Sequence, residues 1–288
     1  MSIPVDRALF DRCYADVDRA QRRSLYAFRT QHPSQSWEHD GGVWHYVTLG
    51  KGDATALFLP GAAGSYYIWW QQLSALAEDL RLISFDSSPS GSLESFRSGL
   101  NAILLKEGIE TFHVVGSSLG GYQAQYLAST RPERLLSATF ANTFVPTIPF
   151  LRMAPLLRLA IRIFPLSWIH TIYHWFSQRR LIPAGGHDPL LKAYLIEFSH
   201  AGLGKHDFLA RISCVTQKFS PLQVEDQTFP LLLIDSENDP LIRPKIRQAV
   251  REMYPKAQRY TFQNAGHFSY LNDPETYTKV LRTFLLGS

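Results

Sequence analysis

The sequence predicts an α/β fold: a mostly parallel central sheet, helices on both faces and an inserted helical cap. Three observations predict it. Short apolar runs alternate with amphipathic segments along most of the 288 residues. The alternation breaks once, for about eighty residues between two such runs. The composition, 45% apolar and 19% charged, fills a large core and excludes wholesale disorder.

The elements follow in order. Residues from about Asp6 to Thr30 have helical composition, ended by "HPS". After "VWHYVTLG", the stretches "TALFLP", "LRLISFD", "TFHVVG", "LLSATFAN", "PLLLID" and "RYTFQN" read as strands. They are brief, β-branched or aromatic, and bounded by Gly, Pro, Asp or Asn. Between them, "YIWWQQLSALAEDL", "SLESFRSGLNAILLKEG", "GGYQAQYLASTRPERL", "PKIRQAVREMY" and "PETYTKVLRTFLL" carry apolar residues at helical spacing. Strands separated by helices pair in parallel, with the crossovers covering both faces. The expected division is a helical segment at 1–35, a core at 36–144 and 221–288, and the cap at 145–220.

The N-terminus is crossed by charges every few residues and has no apolar run of signal-peptide length. Nothing approaches eighteen uninterrupted apolar residues, so a cytoplasmic protein is expected. Cys13 and Cys214 are far apart and lack metal-site spacing, which argues against a disulfide scaffold or a zinc site. The net charge of +4 is uneven. No acidic residue occurs between Glu133 and Asp188, a window holding Arg134, Arg152, Arg158, Arg162, Arg179 and Arg180.

The chemistry centres on "TFHVVGSSLGGYQAQ". Gly116, Ser118 and Gly120 fit G-x-S-x-G, whereas Ser117 has no glycine two residues to either side. A strand ending at Val115 must turn sharply into a helix near Leu119, and the side chain at that apex is exposed and strained. Its neighbours two residues away must be nearly absent, hence the glycines. A serine nucleophile also needs a base, a group that orients the base, and donors for an oxyanion. "PLLLIDSENDPLI" offers Asp235, Glu237 and Asp239 as the acid. Asp239, on the loop beyond the strand, is best placed to reach a histidine, although it could equally cap the following helix. "FQNAGHFSYLNDPE" supplies His267 after a strand and before the last helix, completing the order Ser, Asp, His. The small residues of "LFLPGAAGSYY" let backbone amides approach a ligand, with Ala62 and Leu119 the expected N–H donors. No Lys-Ser or Lys-Thr follows those glycines, which counts against a phosphate loop.

With these motifs the chain from about Val43 onward resembles the α/β-hydrolase fold superfamily. The resemblance implies a serine hydrolase acting through Ser118, His267 and Asp239, with no cofactor and no metal. A serine at the elbow argues against dehalogenase or epoxide hydrolase chemistry, which in this superfamily uses aspartate there. Some relatives place the acid after the preceding strand, where this chain has Asn142. Others open the oxyanion loop with His-Gly, where this chain has Pro60-Gly61. The stretches "GSSLGGYQAQYLA", "CVTQKFSPLQVED", "MYPKAQRY" and "NAGHFSYL" are similar to maspardin-like proteins, which implies an alternative: a non-catalytic binding or adaptor protein. Members of that group lack the histidine matching His267, and its retention here favours an enzyme.

The expected partner is a small acyl substrate bound through a hydrophobic part. Tyr66, Tyr67, Trp69 and Phe150 are the pocket candidates. The apolar, arginine-bearing stretch 150–176 suggests an acyl-binding roof and peripheral contact with anionic lipid, against the simpler reading that its apolar face packs inward. Nucleic acid is excluded as a partner because no dense Lys/Arg stripe or recognition motif occurs.

Overall fold

The computed structural model describes residues 5–39, 42–86, 91–146, 154–200 and 204–287. Among them one eight-stranded sheet forms from β1 (Gln35–His39), β2 (Gly42–Leu49), β3 (Thr55–Leu59), β4 (Arg81–Phe85), β5 (Phe112–Ser117), β6 (Leu135–Ala141), β7 (Leu231–Ser236) and β8 (Gln258–Phe262). The spatial order is β1-β2-β4-β3-β5-β6-β7-β8. β1 and β2 form an antiparallel hairpin, β2 lies antiparallel to β4, and every later pairing is parallel. β1, "QSWEH", was not expected as a strand. It is polar and largely accessible, so it gives no apolar alternation, and in the sheet it pairs with β2 alone.

Thirteen described helices accompany the sheet. α1 (Arg7–Cys13) and α2 (Arg19–Gln31) replace the single helical run expected at the N-terminus. Asp6 and Asp18 cap them through their side chains, and the break between buries Tyr14 and Val17. α3 (Trp70–Leu76), α4 (Leu93–Lys106) and α5 (Leu119–Thr130) follow among the strands. Between β6 and β7 lie α6 (Ala154–Ile163), α7 (Leu166–Phe176), α8 (Ile182–Ala184), α9 (Pro189–His200) and α10 (Lys205–Val215). The chain ends with α11 (Pro244–Met253), α12 (Ser269–Asn272) and α13 (Pro274–Leu286).

Side chains of a strand alternate between faces, so each inner strand feeds two cores. Ala56 and Phe58 of β3 join Trp69, Leu73 and Leu281 on one side. Leu57 and Leu59 join Leu100, Leu127 and Val250 on the other. α1 and α2 belong to the first core, and a buried charge ties them to α9. Glu197 accepts from Arg29 Nη1 at 2.8 Å and from Tyr14 Oη at 2.7 Å, and the Arg29 guanidinium lies 4.0 Å from the centre of the Tyr67 ring.

Candidate active site

β5 ends at Ser117, and Ser118 turns the chain into α5 with φ 54° and ψ −116°. Positive φ at a residue bearing a Cβ costs on the order of 1–3 kcal/mol and has to be held by its surroundings. The Ser118 N–H donates to Ala141 O at 2.9 Å, and its carbonyl accepts from Thr143 Oγ1 at 2.8 Å. The flanking glycines are steric requirements. A Cβ on Gly116 would lie 2.2 Å from Gly120 O, and one on Gly120 would lie 2.0 Å from Leu59 O. The two adjacent serines differ as their spacing implies. Ser117 is buried, whereas Ser118 lines a cavity.

Of the three acids after β7, Asp239 meets His267. Its Oδ2 accepts from His267 Nδ1 at 2.8 Å, and both residues are buried. The second oxygen accepts from the N–H groups of Leu241 (2.8 Å) and Ile242 (3.0 Å). Asn142 Nδ2 donates to Oδ2 at 2.9 Å and is itself held by Ser269, whose Oγ donates to Asn142 Oδ1 at 3.0 Å. Burial disfavours the Asp239 carboxylate, but the His267 ring and these hydrogen bonds outweigh it and hold the group below the usual aspartate range. With Nδ1 engaged and the ring in the cavity wall, Nε2 is the nitrogen left for the cavity. Asp235 instead pairs with Arg251 at 2.8 Å. Glu237 donates its N–H to Phe262 O at 2.8 Å in the turn.

The loop 60–65 lies directly against the elbow: a Cβ on Gly61 would come within 3.2 Å of Ser118 Cβ. Pro60 is part of that closure, since a Cβ on Gly64 would strike its ring at 2.2 Å. Ala62 lines the cavity, and Leu119 is the first residue of α5, its side chain buried with Leu93 and Tyr122. Two helices between β6 and β7 hold the loop. Tyr194 of α9 donates to Ala63 O at 2.8 Å and accepts from Ser65 N–H at 3.0 Å. Arg211 of α10 donates to Ala62 O and rests 5.5 Å from the centre of the Phe198 ring.

The cavity beside Ser118 measures about 270 Å³. Its wall differs from the one expected. Tyr66, Tyr67 and Trp69 are absent from it, because the chain enters a 3-10 turn straight after Ser65 and packs these rings into the first core. The Trp69 ring lies 4.1 Å from that of Tyr270 at a tilt of 34°, Tyr67 reaches Glu197, and Tyr66 donates its N–H to Asp86 at 2.8 Å. Phe150 lies outside the described residues. The apolar wall comes instead from Tyr173 and Phe176 of α7, Phe198 of α9, Phe208 and Ile212 of α10, and Phe268. These residues, with Tyr194 and Arg211, were not singled out from sequence. Helical spacing shows that a segment is amphipathic, but not which neighbour its faces meet.

Among the described residues no helix is long and apolar enough to cross a membrane. Cys13 and Cys214 are free thiols, the second buried.

Comparison with known proteins identifies the fold. RutD of Klebsiella pneumoniae, named for carbamate hydrolysis, is 24% identical over 252 residues, covering 77% of this chain and 86% of its own. The crystal structure of a hydrolase from Pseudomonas aeruginosa superimposes with a TM-score of 0.75 at 20% identity, covering 88% of this chain and 98% of that one. The enol-lactonase of Burkholderia xenovorans gives 0.71 at 17% identity, covering 88% and 100%. The family model for the alpha/beta hydrolase fold matches residues 57–274, so the chain belongs to the α/β-hydrolase fold family.

Proposed function

We propose that this protein is a serine hydrolase cleaving an ester, thioester or lactone with a hydrophobic acyl part. The carrying observation is the buried 2.8 Å Asp239–His267 contact, in one cavity wall with the strained Ser118. Family membership supports hydrolysis in general. Relatives named for carbamate, lactone and ester hydrolysis fit this bond class, and their names give no single substrate.

In this reading His267 Nε2 takes the Ser118 proton as Oγ attacks the acyl carbonyl, and Asp239 fixes the tautomer and stabilises the imidazolium. The N–H groups of Ala62 and Leu119 receive the oxyanion, with the dipole of α5 behind them. His267 protonates the leaving group, and water then releases the acid. The helices between β6 and β7 form the cap that closes the cavity. At about 270 Å³ it sits near the small end of ligand pockets, which favours a compact acyl group.

Intact mass after exposure to a fluorophosphonate tests the proposal. A single adduct is expected on the wild type, none on Ser118→Ala and a strongly slowed one on His267→Ala. A folded wild-type protein that takes no label overturns the hydrolase reading in favour of a non-catalytic binding protein.

A further inference from the structure

The sequence offered two readings of 150–176, and the structure contradicts the simpler one: the apolar residues of its described part do not all pack inward. Among the described residues eleven large apolar side chains are exposed, and seven of them lie on α6, α7 and the turn between them. Leu156, Leu159 and Ile163 form a stripe along α6, 51–66% exposed. Trp168, Ile172 and Trp175 form a second along α7, 56–62% exposed. Phe164 joins them, its ring 5.7 Å from that of Trp168. Spacings of three and four residues place each set on one helix face.

Neither helix is loose. α6 buries Ile161 and packs along α10, and α7 turns Tyr173 and Phe176 into the cavity wall. Both helices are therefore apolar on two sides, one satisfied by the protein and one facing outward. A contiguous exposed apolar surface of this kind marks an interaction site.

Charge selects the occupant. Arg158 and Arg162 lie one position before Leu159 and Ile163, about 100° round the helix, and so flank the stripe. Arg179 and Arg180 follow α7 and are exposed, and the sequence has no acidic residue from 134 to 187. A second copy docked on this face would bring like charges together. Two exposed tryptophans among aliphatic residues, rimmed by arginine, match the interfacial region of a bilayer.

We propose that the outer faces of α6 and α7 dock onto an anionic phospholipid surface, with Trp168, Ile172 and Trp175 inserted at headgroup depth. The inner face of α7 lines the cavity, so the docked surface lies one helix away from it. Docking does not depend on chemistry at Ser118, and Ser118→Ala is expected to bind as the wild type does.

Co-sedimentation with vesicles of phosphatidylcholine or phosphatidylglycerol tests it. Binding is expected to phosphatidylglycerol at low salt and to weaken as salt screens the arginines. The Trp168→Ala/Ile172→Ala/Trp175→Ala protein should bind at least about tenfold more weakly, and Arg158→Gln/Arg162→Gln should lose roughly tenfold. Brominated lipid gives an independent reading on unmutated protein. Trp44, Trp69 and Trp70 are buried and Trp37 is half-buried, so strong quenching reports Trp168 and Trp175. No binding, equal binding to both lipids, or unquenched tryptophans would overturn the proposal. A dimer in solution that the triple substitution dissolves, without vesicle binding, would overturn it in favour of a second copy.

Discussion

The two walls of the cavity are built by opposite rules. On the strand-end wall, polar atoms are committed to one arrangement. Both oxygens of Asp239 are filled, one by the N–H groups of Leu241 and Ile242 and the other by Asn142 and His267. Ser118 is pinned through its N–H and its carbonyl. The opposite wall, from α7, α9 and α10, presents mostly rings and aliphatic groups that fix no direction, and its one charged residue, Arg211, is engaged with Ala62 O. The rigid wall suits a reaction that tolerates little misplacement, and the apolar wall constrains a bound group by size rather than by direction. Within the helical segment the contrast repeats: α9 is bound to the N-terminal helices by a buried ion pair, while α6 and α7 each leave an apolar face uncovered.

Breaking the rigid wall should have the largest effect. Asp239→Asn keeps the shape but presents an amide to His267 Nδ1, favouring the wrong tautomer. Turnover of an activated ester is expected to fall about 10⁴-fold, the loss in kcat that the equivalent change causes in the Ser-His-Asp template. A loss below tenfold would show that Asp239 does not orient the base. Next is the tie between α9 and the N-terminal helices. Glu197→Gln leaves Arg29 buried without its counter-charge, and breaking one side of such a pair costs about 3–5 kcal/mol. Burial opposes the Arg29 charge, yet Tyr67, Glu197 and Tyr14 hold its pKa raised, so the guanidinium stays charged. Urea unfolding measures that loss, and an unchanged midpoint would remove Glu197 from the stabilising contacts.

A smaller effect joins the two walls. Tyr194 belongs to the helical segment but holds the loop of the strand-end wall through Ala63 O and Ser65 N–H. Tyr194→Phe removes both bonds, each worth about 1 kcal/mol. If the loop supplies the oxyanion donor, kcat should fall about five- to thirty-fold while KM and the extent of fluorophosphonate labelling stay near wild type. A change in KM alone would mean that the loop serves only to shape the pocket.

The rigid wall was legible in the sequence because backbone rules generate it. A strained apex needs glycines at fixed offsets, and the strand–loop order sets where an acid and a histidine can meet. Asn142 was noted only as occupying a place where an acid could stand. Its actual work, donating to Asp239 from a backbone with φ 43°, depends on β6 and β7 lying side by side. The apolar wall was legible only as the stretch 150–176, which supplies Tyr173 and Phe176, and not residue by residue. "YYIWW" reads as aromatic residues after a glycine-rich loop, and nothing local shows that they turn toward the sheet. Phe198, Phe208 and Arg211 come from helices positioned by contacts far away in sequence, such as Glu197 with Arg29 and Tyr194 with the loop. β1 escaped notice because pairing with β2, rather than its own composition, makes it a strand.

The smallest expected effect is a pH dependence that separates the two walls thermodynamically. Asp239 has its pKa lowered in the folded protein: burial raises it, but His267, the Ile242 N–H and Asn142 together more than reverse that. A depressed folded pKa means that the unfolded chain binds the proton more readily. The stabilisation is therefore complete above the unfolded value of about 3.9 and is lost as pH falls from there through the folded value. Asp239→Asn cannot titrate, so its stability should fall less steeply than that of the wild type below about pH 4, with the two curves parallel above about pH 5. Tyr173→Phe, a change on the apolar wall with no carboxylate, should keep the wild-type slope throughout. Urea midpoints measured across that range for the three proteins decide it. Parallel curves for wild type and Asp239→Asn down to the lowest pH would mean that the hydrogen bonds around Asp239 do not favour its ionised form.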